Sequence, residues 1–236
     1  MTEPVKIKIW SDYVCPFCML AEGPVEEAIK DVGAEAEVEV EWMPFELRPH
    51  PQPTLRPEDA YLPGIWERAV YPMARRLGVD ITLPAVSPQP YTALAFEGYQ
   101  YAAERGLGTA YNQRMFRAFF QENQDLGQLD VLVALAGEIG LDEAGFRAAL
   151  TDGVHRDRHQ EALREAAAHQ VRSVPTILVG DTRIEGVPRP AQLRKAILDA
   201  QARQAQRAQQ AQQAQPAEGD AEGDVSGASC GIGGRC

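Results

Sequence analysis

Apolar and polar residues alternate from Val5 to Trp10, "VKIKIW", and again from Ala36 to Trp42, "AEVEVEW". A period of two belongs to half-buried strands. Between them Leu20, Val25, Ala28 and Ile29 recur at helical spacing, and Gly33 ends the pattern. The chain therefore opens as β-α-β. The proline-rich stretch from Met43 to Pro63 breaks the periodicity, as a loop or a crossing between domains does. From there to Gln170 the spacing is helical. It predicts helices over Gly64–Leu77, Gln89–Arg105, Thr109–Glu122, Gln128–Ile139, Asp142–Leu150 and Val154–His169. Strand character returns in Pro175–Gly180 and Thr182–Gly186, a hairpin turning at Gly180–Asp181. A last amphipathic helix starts near Pro190. The run that follows it, "QARQAQRAQQAQQAQ", has good helix formers but almost no apolar stripe, so it is expected to fray or to lie in solvent. From Pro216 the composition is that of a flexible acidic linker.

Without its helical block, this order is β-α-β followed by β-β-α, the order of a thioredoxin fold. The expected fold class is α/β: a thioredoxin fold interrupted by an all-helical insertion domain, with a C-terminal extension. The expected divisions are 1–48 and 171–200 for the two thioredoxin-like halves, 49–170 for the insertion and 201–236 for the extension.

Composition narrows the partners. With 44% hydrophobic and 24% charged residues, the 236-residue chain reads as an ordinary globular protein with room for a substantial core. Its formal charge of −11 disfavours nucleic acid and anionic membrane surfaces, which repel it at long range. No apolar run approaches the roughly 18–20 residues of a membrane helix. The N-terminus, "MTEPVKIKIW", has no apolar h-region and no cleavage site, so no secretory signal and a cytoplasmic location are expected. Thiols are mostly kept reduced there.

Against that background the four cysteines stand out, because they form two close pairs: Cys15 with Cys18, and Cys230 with Cys236. Zinc would need a second Cys or His pair at short spacing near the first, and none is present. A CxxC between a strand and a helix start has its own chemistry. Unpaired N–H groups and the helix dipole favour a negative charge on the first cysteine, which becomes a usable nucleophile. The second, one turn on, can close a disulfide with it. Tyr13, Phe17, Trp42 and Phe45 lie near enough in sequence to offer an apolar surface to a peptide, although Trp42 and Phe45 are expected in the core.

The segments "SDYVCPFC", "EWMPFELRPH" (Glu41–His50), "YNQRMFRAFFQEN" (Tyr111–Asn123), "LAGEIGLD" (Leu135–Asp142) and "VRSVPTILV" (Val171–Val179) resemble the DsbA family of thiol oxidoreductases, most closely its FrnE-like branch. The resemblance covers about residues 5–200. It implies Cys15 as attacking thiol, Cys18 as resolving thiol and Pro175 as a cis-proline facing them. The backbone of Val174 would then pair with an extended substrate segment, and Tyr13 and Phe17 would border it. It further implies protein or peptide disulfides as substrates, a cellular thiol as reductant, and no cofactor or metal. "IEGVPRP" (Ile184–Pro190) departs from the turn usual in the family, which bears on substrate preference.

The tail lies outside the family pattern. "CGIGGRC" reads as an incidental terminus, a soft-metal pair or an accessory redox pair. The accessory reading is favoured, because the linker is long enough to bring Cys230 and Cys236 to the first pair. His155 and His159 share one helical face, but Arg156 and Arg158 beside them disfavour a cation, and a solvated face is expected. Two other activities fit parts of the pattern. One is a glutathione-dependent isomerase or transferase of the kappa type, whose members typically carry serine at the position of Cys15. The other is a redox-regulated chaperone or metal-binding protein.

Overall fold

The computed structural model describes residues 3–33 and 36–214. Strand β1 (Val5–Ser11) pairs in parallel with β2 (Val38–Pro44), setting Ile7 against Val40 and Ile9 against Trp42. On its other side β1 runs antiparallel to β3 (Thr176–Val179), which forms a hairpin with β4 (Thr182–Glu185). The sheet order is β2-β1-β3-β4. The hairpin has the two-residue loop expected, and Gly180 supplies its positive φ of 56° at no steric cost.

Helix α1 (Pro16–Val32) connects β1 to β2 and is stopped by Gly33 at φ 54°. Its apolar stripe, which includes Val25, packs with Ile7 and Ile9 against α9 (Pro190–Ala214), which buries Leu193, Ala196, Ile197 and Ala200. Beyond them α9 carries the Gln/Ala run as regular helix, with residues 206–211 in solvent. Of the two outcomes expected, fraying or a helix in solvent, the described length shows the second. The rest of the extension, with Cys230 and Cys236, lies outside the described residues.

Between β2 and β3 the chain is helical. A helix runs from Tyr61 to Leu77 as α2 (Tyr61–Ile65), a π-helical turn (Trp66–Val70) and α3 (Tyr71–Leu77). It starts three residues earlier than the periodicity predicts. Then come α4 (Ala93–Ala103), α5 (Gly108–Phe120), α6 (Leu129–Glu138), α7 (Glu143–Thr151) and α8 (Arg156–Ala168). Helix α4 begins later than Gln89, because Pro90 restricts the residue before it to extended backbone. Helix α7 begins beside Asp142, whose carboxylate accepts the Gly145 N–H at 2.7 Å. Tyr111, Phe116, Phe119, Phe120 and Phe146 fill the centre of the helical block. Helix α8 closes the opposite face of the sheet, where Trp10, Met43, Ala166 and Val171 pack together and Lys8 pairs with Glu165. The whole is a thioredoxin fold with a helical insert, the fold class expected. Among the described residues no helix is long and apolar enough to cross a membrane.

The buried histidines correct one expectation. His155 and His159 do not face solvent: they are 6% and 1% exposed. Four-residue spacing places two side chains on one helix face but does not say what covers it. Here Phe96 stacks on the His159 ring, with centroids 5.7 Å apart, and Glu46 meets His159 Nε2 at 2.7 Å. His155 lies edge-on to Tyr101. The His159–Glu46 contact ties the segment after β2 to α8.

Candidate active site

The site is built on the start of α1. Cys15 takes the N-cap position in extended backbone, and Pro16 supplies the fixed φ of the first helical residue. The Cys15 N–H donates to the Asp12 carbonyl and the Cys18 N–H to the Cys15 carbonyl, each at 3.0 Å. That turn brings both sulfurs to one helix end. Both cysteines are free thiols. Their surroundings differ: Cys15 is 5% exposed and lines a cavity, whereas Cys18 is wholly buried behind it. Burial pushes the Cys18 thiol well above its usual range. The hydrogen bond and charge of Cys15 and the charge of Asp12 add to that rise, against a backbone hydrogen bond at Asp12. Of the two sulfurs, Cys15 is the one open to the cavity, and Cys18 is sheltered from solvent.

Facing them is the segment that enters β3. The Val174–Pro175 peptide is cis, and the Cys15 Sγ donates to the Val174 carbonyl at 3.6 Å. The Pro175 carbonyl is taken by the Gly186 N–H at 2.8 Å, which fixes the loop to the end of β4. The cis peptide and the dithiol, 159 residues apart in sequence, thus meet across one cleft.

That cleft is a cavity of about 520 Å³. Its walls come from α1 (Cys15, Phe17), the segment after β2 (Leu47, Arg48), α2 and the π-helical turn (Tyr61, Trp66), the approach to α4 (Gln89, Thr92) and the loop before β3 (Arg172, Val174). Phe17 and Val174, expected to border substrate, both line it. Tyr13 does not. It is fully buried, stacked on Phe96 at 4.5 Å and edge-on to Phe116, and it belongs to the core that joins the sheet to the helical block. Position next to a motif says nothing about side-chain direction, and Tyr13 points away from the cavity. Trp42 is core, as expected, while Phe45 is half-buried against the cluster under α8. Leu47 and Tyr61, 42% and 60% exposed, supply apolar surface at the cavity that nearness in sequence to the CxxC does not reveal.

Asp12 also escapes a motif search, although it sits three residues before Cys15. Its side chain is buried beneath the cavity, accepting the Leu47 N–H at 2.7 Å, the Val14 N–H at 3.5 Å and a hydrogen bond from Thr92. Burial raises its carboxyl from 3.8 to about 6 against the lowering effect of those donors, with the charge of Glu46 adding a little. An acid placed at the end of a buried strand, directly before a CxxC, is the signal that would have found it.

Residues 6–198 match the model of the DSBA-like thioredoxin domain. The chain is 48% identical over 202 residues to the uncharacterized protein YwbO of Bacillus subtilis (strain 168), covering 85% of this chain and 99% of that one. Among solved structures it resembles the probable DsbA oxidoreductase SCO1869 from Streptomyces coelicolor (TM-score 0.69, 22% identity, 84% of this chain and 90% of that chain). It also resembles the cytosolic disulfide reductase DsbM from Pseudomonas aeruginosa with GSH (TM-score 0.59, 18% identity, 87% of this chain and 100% of that chain). At those identities the two structures share the fold.

Proposed function

The chain belongs to the DSBA-like thioredoxin domain family, and from that premise we propose that it exchanges disulfides with protein or peptide substrates through Cys15 and Cys18, as reductase or isomerase. The observation that carries this reading is the Cys15 sulfur, which lies at a helix start, opens into a cavity and sits 3.6 Å from the carbonyl before a cis-proline.

The Cys15 thiolate attacks one sulfur of a substrate disulfide. The substrate S–S bond breaks, a Cys15–substrate bond forms, and the first substrate thiol leaves. Cys18 gives up its proton and attacks the Cys15 sulfur. The second substrate thiol departs and takes up a proton, and a Cys15–Cys18 disulfide remains. Two electrons have passed from the dithiol to the substrate. A cellular thiol resets the pair by the reverse sequence. Glutathione fits that part, since the related DsbM structure contains GSH, and a cytosolic relative agrees with a cytoplasmic setting. The FrnE-like branch rests on the sequence resemblance. Val174, held before the cis Pro175, lines the wall opposite the sulfurs, and the exposed Leu47 and Tyr61 give an unfolded segment an apolar place to lie. Cys230 and Cys236 are proposed as an accessory pair that exchanges with the first.

Insulin reduction and refolding of scrambled ribonuclease test the reading. Cys15→Ser should remove both activities, and Cys18→Ala should accumulate a mixed disulfide at Cys15 that is visible by mass. Turnover that persists in Cys15→Ser at the wild-type rate would sink it.

A further inference from the structure

The cavity beside Cys15 is lined by two cations and one acid, in a chain whose formal charge is −11. The acid is Asp12, which is 1% exposed with its oxygens engaged by Leu47, Val14 and Thr92. Its oxygens are taken up within the fold, and its single charge is outnumbered by the two guanidiniums. The cations are Arg48, from the segment after β2, and Arg172, two residues before Val174. Both are exposed. Among the described residues Arg172 has no hydrogen-bond or ion-pair partner, and Arg48 makes only a long bond, 3.4 Å, to the Pro53 carbonyl. Among the described residues no carboxylate neutralises either guanidinium. Many other surface arginines are: Arg105, Arg147, Arg158, Arg183 and Arg207 each meet an acid.

A guanidinium presents a planar fork of donors that matches a carboxylate. Two of them in the walls of one cavity, with the attacking sulfur between the elements that carry them, suit a ligand whose reactive sulfur lies a few bonds from its carboxylates. The volume fits a molecule of a few residues rather than a folded surface. Resting on the oxidoreductase reading above, we propose that the cavity selects small acidic cysteine peptides as disulfide partners, with Arg48 and Arg172 as the side chains that recognise their carboxylates. Cationic disulfides are rejected by the same charges.

The test uses the full chain, reduced beforehand, in single-turnover reactions with three small disulfides: oxidised glutathione (anionic), 2-hydroxyethyl disulfide (neutral) and cystamine (cationic). The rate of a Cys15→Ser chain is subtracted to remove any contribution from Cys230 and Cys236. At low ionic strength oxidised glutathione should react about tenfold or more faster than cystamine, and the ratio should shrink in 0.5 M salt, which screens exposed charges to roughly 4–5 Å. Arg172→Glu, and separately Arg48→Glu, should each lower that ratio by about tenfold. Arg172→Gln serves if the charge reversal disturbs folding, and the salt series on the wild type needs no variant. A glutathione-to-cystamine ratio near one at low salt, or one that the arginine substitutions leave unmoved, overturns the selectivity while 2-hydroxyethyl disulfide is still reduced. If the reduced wild type reacts with none of the three, the oxidoreductase reading falls and this inference with it.

Discussion

Replacing Asp12 with asparagine isolates one buried charge. In the folded chain the carboxyl is held at about 6, against 3.8 as a free side chain, because burial outweighs the hydrogen bonds it accepts. Between those values the folded state binds a proton that the unfolded chain has released. The contribution of the neutral group is therefore fully present below about pH 3.8 and is lost as pH rises through about 6. The interval is roughly 2 pH units, and each unit corresponds to about 1.4 kcal/mol, so Asp12 removes about 3 kcal/mol of stability between acid and neutral pH. Asparagine keeps one acceptor oxygen for the Leu47 N–H but does not titrate. Urea unfolding followed by tryptophan fluorescence, at pH 4, 5, 6 and 7 in both chains, gives the comparison. The wild type should lose roughly 2–2.5 kcal/mol more than Asp12→Asn over that range, because the unfolded carboxyl is already partly ionised at pH 4, at unchanged urea dependence. Other titrating groups are common to both chains and cancel in the difference. Curves that run parallel across the whole range would show that Asp12 titrates like an exposed carboxylate and would refute the argument.

Two further outcomes follow from packing. His159→Ala leaves the Glu46 carboxylate, with its side chain 7% exposed, without its 2.7 Å partner; equilibrium unfolding at pH 7 should show a loss of about 3 kcal/mol, and a change under about 1 kcal/mol would mean that the pair contributes little. Gly98→Ala would set a methyl against Tyr111 Oη and 2.7 Å from Phe146 Cζ in the middle of the helical block. Overpacking of that kind costs about 1–3 kcal/mol and should outweigh the helix-propensity gain of alanine, so thermal unfolding should shift down; an upward shift would mean that the core yields freely.

The hydrophobic pattern by itself determined the element types and their order. Alternation in Val5–Trp10 and helical spacing after Cys18 are local properties, governed by periods of two and 3.6 residues, and they survive without knowledge of neighbours. The CxxC at the strand-to-helix junction is local in the same sense. Helix starts were less legible at Tyr61 and Ala93, where no side chain caps the first turn and so no local signal marks it.

What only the tertiary structure decided was exposure, and through it chemistry. Tyr13 and Phe17 are four residues apart, yet one is sealed in the core and the other borders the cavity. His159 looks like a surface residue until Phe96 and Glu46, both distant in sequence, cover it. Asp12 is an ordinary aspartate in the sequence and an acid titrating at about 6 in the fold, because burial outweighs the hydrogen bonds it accepts from Leu47 and Thr92. Arg48 and Arg172, 124 positions apart, become a pair only when the segment after β2 and the loop before β3 form the walls of the same cavity. The physical reason is the same in each case. Periodicity is a property of the backbone, whereas the exclusion of water from a side chain is a property of whatever long-range packing sets beside it.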